Sequence, residues 1–172
     1  MESTEHISAL DRLRADHREV LKRLEEFSAV LEDLPDAPEP GAREALNGLL
    51  AFIQLEVWAH FRVEEEALFP LLGGLFPGKD APVAGGPVYV LTEEHGILRK
   101  LVARVASETQ RWEAGEPPAA DALRLVGRQT VRAFQKHIYK EDNIVFRLAE
   151  VSLTPAELAA LEEGFERMGH LG

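Results

Sequence analysis

The sequence predicts an all-α protein, an antiparallel up-down-up-down four-helix bundle with an extra short C-terminal helix. Three observations carry that expectation. Apolar residues recur at steps of three and four over long stretches, which is the helical period and not the alternation of a strand. Gly and Pro gather in a few short breaks that separate those stretches. The two halves of the chain also repeat one another.

The first stretch puts Leu10, Leu13, His17, Val20, Leu24, Phe27 and Leu31 on one stripe, and PDAPEPG (35–41) ends it. The second carries Leu46, Leu49, Ile53, Glu56, His60, Ala67 and Leu71 up to the Gly- and Pro-rich run 73–87. The third carries Leu91, His95, Leu98, Val102, Val105 and Trp112, and GEPP (115–118) closes it. The short apolar run 88–91 continues into that stripe, so it begins a helix and is not a strand. The fourth carries Leu123, Val126, Thr130, Phe134, His137, Glu141, Val145 and Leu148. Helices of about 24–32 residues would be about 35–48 Å long. Short connections between such helices make antiparallel neighbours. After the turn SLTP (152–155), Thr154, Pro155 and Glu157 read as an N-cap, a first-turn proline and a capping carboxylate. They open a fifth helix over about 155–168, outside a bundle of about 10–151, in a single domain of 1–172.

Composition narrows the function. Lys plus Arg is 19 and Asp plus Glu is 30, a formal charge of −11. That disfavours nucleic acid and anionic lipid, which both need a basic footprint. There is no cysteine, so disulfide scaffolds, thiolate metal sites and Cys nucleophiles are excluded together. Any metal site must use His and carboxylates. No apolar run approaches the ~18 residues of a membrane span. The start, MESTEHISALDR, lacks the basic and apolar parts of a secretory signal, so the expected address is the cytoplasm.

Four of the six His fall on the stripes, and the repeat relates them. ADHREVLKRL (15–24) resembles EEHGILRKLV (93–102), with His17 and His95 separated by 78 positions. HFRVEEEALF (60–69) resembles HIYKEDNIVF (137–146), with His60 and His137, Glu64 and Glu141, and Phe69 and Phe146 each separated by 77. A bundle of two similar hairpins has a pseudo-two-fold axis through its core. The four His and two Glu converge around that axis. His-x-x-x-Glu on a helix sets the two side chains about 40° apart and one turn up. Such a carboxylate can reach the same metal as its His, or bridge to a neighbouring one. Four imidazoles and two carboxylates suit two ions, each held by two His, with both Glu bridging. Donors without sulfur favour Fe, Mn or Zn over Cu(I). Six ionisable groups buried together would be very costly without a compensating ion. His6 and His170 lack a repeat partner and are expected to be exposed and without a role.

AHFRVEEEALFPLL, KHIYKEDNIVF and the lone His of RADHREVL and EEHGILRKL resemble the hemerythrin / HHE cation-binding family, over about residues 10–151. The resemblance implies a non-haem, carboxylate-bridged di-iron centre inside the bundle. By position, His17, His60, His95 and His137 are its terminal ligands and Glu64 and Glu141 its bridges. Two departures stand out. The oxygen carriers have a further His four residues after the position of His95, where this chain has Arg99. They also place the last carboxylate five residues after its His, where Asp142 stands here. Glu141 is preferred, because it matches Glu64 through the repeat, and Asp142 would lie about 140° round from His137.

Glu56 lies one turn before His60 on the core stripe, either as an added ligand or acceptor for a His N–H, or as a group reaching a boundary. Asp16 and Glu94 precede the two lone His, either as partners behind a ligand or caps, or, the favoured reading, in solvent; Glu65 and Glu66 are expected on a solvated face. Tyr89 and Tyr139 are expected in packing or boundary positions, and Phe52, Trp58, Phe69, Phe134 and Phe146 as packing that dries the site.

The leading functional expectation is a di-iron protein that binds dioxygen or a related oxidant for sensing, storage or protection. Zn or Mn are possible substitutes for iron. The alternatives are a di-iron oxidoreductase acting on peroxide or nitric oxide, or an iron-handling protein. A metal-stabilised interaction module is the third.

Overall fold

The computed structural model describes residues 8–73 and 86–168, and His6, His170 and residues 74–85 lie outside them. The described residues form five helices and no strand, as the sequence predicts. Helix α1 is Ala9–Glu32, with Ser8 capping its start by accepting from the Asp11 amide. Helix α2 is residues 40–73 and α3 is Pro87–Glu113. Helix α4 is residues 119–152 and α5 is Pro155–Arg167. Thr154 and Glu157 form the capping box that the sequence predicts, with Pro155 in the first turn.

Neighbouring helices run in opposite directions. Arg14 near the start of α1 pairs with Glu150 near the end of α4. At the opposite end of the bundle, the Arg124 guanidinium near the start of α4 donates to the Leu34 carbonyl just past α1. Asn47 early in α2 donates to Glu113 at the end of α3. The turn between α3 and α4 uses Gly115 at φ 72°, a left-handed conformation that only glycine adopts without strain.

The predicted stripes of α1 and α3 are buried residue for residue. Those of α2 and α4 begin as expected and then change phase. Helix α2 contains two π-helical turns, Ile53–Val57 and Glu64–Leu68, and α4 contains one, Glu141–Val145. A π turn takes up about one extra residue, so everything after it rotates back by about 100°. Leu72 and Ala149 therefore face the core where a regular helix would present Leu71 and Leu148, which are half-buried. By the same rotation Val57 faces the core and Glu56 stands aside, half-buried.

The apolar side chains form two clusters, one on each side of the layer that holds the four His. One runs from Val20 and Val57 to Leu34, Trp112 and Leu123. The other gathers Leu10, Leu13, Leu68, Leu72, Leu91 and Phe146 with Leu161 and Phe165 of α5. Burying each such side chain contributes about 1.5–3 kcal/mol. The two clusters hold the polar layer between them. Helix α5 closes the second end, where Gly164 lies so close to Ala67 that a Cβ would come within 2.8 Å of the Ala67 methyl.

Candidate metal centre

The six residues singled out by the repeat meet in the middle of the bundle. His17, His60, His95 and His137 are each 3% exposed or less, and Glu64 and Glu141 are fully buried. The imidazoles form two pairs. Nε2 of His17 faces Nε2 of His60 at 3.0 Å, and Nε2 of His95 faces Nε2 of His137 at 3.1 Å. Each pair thus joins a lone His to the His of a His-x-x-x-Glu motif.

Between the pairs lie the two carboxylates, each with one oxygen toward each pair. Glu64 Oε1 is 3.2 Å from His60 Nε2 and its Oε2 is 3.4 Å from His95 Nε2. Glu141 Oε2 is 3.1 Å from His17 Nε2 and its Oε1 is 3.1 Å from His137 Nε2. Despite these approaches, none of the four oxygens has a hydrogen-bond partner. Two clusters result, His17–His60–Glu64–Glu141 and His95–His137–Glu64–Glu141, which share both carboxylates.

On the outer side of each ring, Nδ1 meets a further carboxylate that comes from a neighbouring helix. His17 Nδ1 is 2.8 Å from Asp142, and His60 Nδ1 is 3.0 Å from Asp16. His95 Nδ1 is 2.7 Å from Glu65, and His137 Nδ1 is 3.1 Å from Glu94. These carboxylates form a closed circuit: α4 holds the His of α1, α1 that of α2, α2 that of α3, and α3 that of α4. The circuit obeys the internal repeat, with Asp16 matching Glu94 and Glu65 matching Asp142.

This corrects the expectation that Asp16, Glu94 and Glu65 sit mainly in solvent. They are half-buried, and they accept hydrogen bonds from the rings. Asp142 joins neither donor cluster and holds His17 from behind. Glu66 is exposed, as expected, and Glu56 belongs to neither cluster. Tyr89 and Tyr139 are exposed, so neither packs in the core.

Glu65 and Glu94 are each backed by a cation. Arg99 grips Glu65 with both terminal nitrogens, at 3.0 and 3.2 Å. Its guanidinium also lies over the rings of Trp58 and Phe61. Lys140 pairs with Glu94. The position where the oxygen carriers have a fifth His is thus occupied here by a residue that orients a His from outside.

Aromatic rings wall the site. Phe61 stacks on His95 with centroids 3.6 Å apart, and Phe146 stacks on His17 at 5.3 Å. Phe69 reaches His95 at 5.7 Å. Phe69 and Phe146 lie nine residues after their His, which is about 180° round on a regular helix. The π turns at Glu64 and Glu141 bring them back to the core. Phe61 was not singled out by its sequence pattern, because it lies about 100° off the stripe through His60.

The ionisation of these groups is strongly perturbed. Burial alone would push His60 down, but the charge of Glu64 and the contact with Asp16 outweigh it and raise it to about 10. His95 is raised to about 9, against its burial, by Glu141 and Glu64. Burial would raise Glu141, yet its imidazole neighbours, His137 foremost, hold it well below the usual carboxylate range.

The fit of this donor set to metal rests on a conflict. With Nδ1–H given to a carboxylate, Nε2 of each ring faces inward. In the metal-free protein a proton on His60 and another on His95 separate the facing nitrogens, which leaves two imidazolium charges buried. A cation between each His pair would take the place of that proton and give the four orphaned carboxylate oxygens a partner.

The profile of the hemerythrin HHE cation binding domain matches residues 8–168. The chain belongs to the hemerythrin HHE cation-binding family. That family assignment and the buried His/Glu clusters together indicate metal binding. This HHE protein is also similar to uncharacterised proteins of Mycobacterium bovis and Mycobacterium tuberculosis, at 28% identity over 161 residues. The aligned region covers 94% of this chain and 57% of theirs, so the HHE chain spans little more than half the length of those relatives. Among its described residues no helix is long and apolar enough to cross a membrane.

Proposed function

We propose that this protein holds two iron ions in the bundle and binds dioxygen or a related oxidant there, for sensing, storage or protection. His17 and His60 would hold one ion, and His95 and His137 the other. Glu64 and Glu141 would bridge them. The observation that carries this reading is that each of the two buried carboxylates turns one oxygen toward each His pair, and none of those oxygens has a hydrogen bond.

A ferrous pair would supply electrons to a bound oxidant. The chain's own residues would do the rest. Asp16, Glu65, Glu94 and Asp142 fix the ring orientations and keep each Nδ1 proton outside, so that Nε2 is free to bind. The two clusters of four residues offer each ion four donor atoms, fewer than an octahedral ion requires, which leaves positions for a small exogenous ligand. Phe61, Phe69 and Phe146 keep bulk water from the rings. A cytoplasmic location is compatible with this reading and with a chain that contains no cysteine.

The test is anaerobic reconstitution with ferrous iron, metal analysis, and optical spectra before and after air. The expected result is about two iron ions per chain, as two donor clusters require, and a new absorption band on oxygenation. A band that reverses on removing oxygen supports binding. Irreversible oxidation with peroxide consumption would favour the oxidoreductase. Zinc that stabilises as well as iron, without redox chemistry, would favour the interaction module. No bound iron in the presence of excess would overturn the reading.

A further inference from the structure

Outside the metal centre, one cleft of ≈ 350 Å³ opens between α3 and α4, in the size range of small-ligand pockets. Its lining is unusual for a chain of formal charge −11. Arg132, Lys136 and Lys140 line one wall at successive i, i+4 positions of α4, against Glu94 as the single acid. Like charges at this spacing destabilise a helix. Lys140 is paired with Glu94. Arg132 and Lys136 are exposed, and among the described residues neither has an ion-pair partner. The facing side is apolar, with Ile97, half exposed, beside buried Leu98.

We propose that this cleft binds a small organic anion, a carboxylate on an apolar body. The carboxylate sits between the Arg132 guanidinium and the Lys136 ammonium, where both donate to it. The apolar body lies against Ile97, Leu98 and Ala133. A bidentate contact from arginine suits a planar carboxylate, and burial of the body displaces water from Ile97. The anion also reaches the edge of the metal centre. Lys140 at the same wall holds Glu94, and Glu94 accepts from Nδ1 of His137 at 3.1 Å. The bound negative charge, one turn from Lys140 on the same wall, draws that ammonium away from Glu94 and so shifts the ring of His137. The binding step stands without the metal reading, because none of the groups that hold the anion belongs to the donor clusters.

The experiment uses the full chain, freed of metal by chelation, and follows backbone amides and His ring nitrogens by NMR. Three probes separate the requirements. Benzoate carries charge and an apolar body, inorganic phosphate carries charge alone, and benzyl alcohol carries the apolar body alone. Benzoate is expected to bind saturably, with shifts at Ile97, Ala133 and the His137 ring. Phosphate and benzyl alcohol are expected to bind at least about 10-fold more weakly, the size of effect that losing one charge-assisted or apolar contact produces. R132A/K136A, which touches neither His nor bridging Glu, is expected to abolish saturation while the remaining spectrum stays native. Benzoate binding unchanged in that variant overturns the site, as does the absence of saturable binding by benzoate. Equal binding of phosphate overturns the organic-anion assignment. Shifts at Ile97 without any at His137 overturn the link to the metal centre. None of these outcomes depends on whether iron binds.

Discussion

His95 donates a hydrogen bond from Nδ1 to Glu65 across 2.7 Å, from one helix to the next, and the opposite nitrogen of the same ring faces Nε2 of His137 at 3.1 Å in the centre of the bundle. Arg99 holds the far side of that carboxylate. The three side chains form a rod from the surface to the core. Its inner end is Nε2 of His95, whose direction is set by an arginine that never approaches the centre.

If that rod sets the ring, shortening it weakens metal binding without unfolding the bundle. Glu65→Gln and Arg99→Met are each expected to lower metal affinity about 10–100-fold, the usual cost of losing a partner behind a ligand His. Arg99→Lys recovers part of it through charge, though not the two-nitrogen grip. Competitive chelator titrations measure the affinity, and circular dichroism checks the fold. Unchanged affinity in Glu65→Gln would show that packing alone orients His95.

Glu64 and Glu141 each face both His pairs, so their loss is expected to empty both positions together. Glu64→Ala and Glu141→Ala should each bind well under one ion per chain by metal analysis. The native-like helix signal of the metal-free variants serves as the control. A variant that keeps one ion with full affinity contradicts bridging by that residue.

The metal-free protein should have a bounded pH optimum. Glu64 and Glu141 are held below the ordinary carboxylate value of 4.5, so the stability they contribute is present above 4.5 and lost as pH falls through their folded values. His60 and His95 are raised from 6.5 to about 10 and about 9, so their contribution is present below 6.5 and lost as pH rises through those values. The melting temperature is therefore expected to peak between 4.5 and 6.5. Metal loading should remove the alkaline decline, because ligating imidazoles no longer bind protons. A metal-free melting temperature that stays flat on the alkaline side would contradict the charge pairing inferred for His60.

Two glycines test the packing with opposite signs. A Cβ on Gly127 in α4 would lie 2.5 Å from a Leu31 methyl and 3.1 Å from Phe27. Overpacking costs about 1–3 kcal/mol, against about 1 kcal/mol gained in helix propensity. Gly127→Ala is expected to be destabilising by about 1 kcal/mol, or about 2–4 °C in a protein of this size. Gly48 in α2 has nothing within 4 Å of that position. There Gly48→Ala is expected to stabilise by about 0.5–1 kcal/mol. Thermal melts of both variants decide the pair.

The sequence and the structure agree most closely where a residue's role depends on its own helix. Leu13, His17, Val20 and Leu24 are buried as the period of α1 demands. The agreement loosens after each π turn, where Leu72 and Ala149 replace Leu71 and Leu148 in the core. Nothing in the local pattern marks those turns, since their residues are ordinary helix formers. The repeat gave the only clue, because Phe69 and Phe146 occupy the same off-stripe position in both halves.

By itself the sequence determined the helical bundle, its two-fold repeat and the six buried His and Glu that meet at its centre. Those follow from helical periodicity and from spacing along one chain, which are local properties. Only the tertiary structure decided which carboxylates take the outer protons of the imidazoles. Asp16, Glu65, Glu94 and Asp142 each lie one position from a donor, about 100° round the helix. On an isolated helix that direction faces water. In the bundle it faces the next helix, and there each carboxylate meets the His of a neighbour.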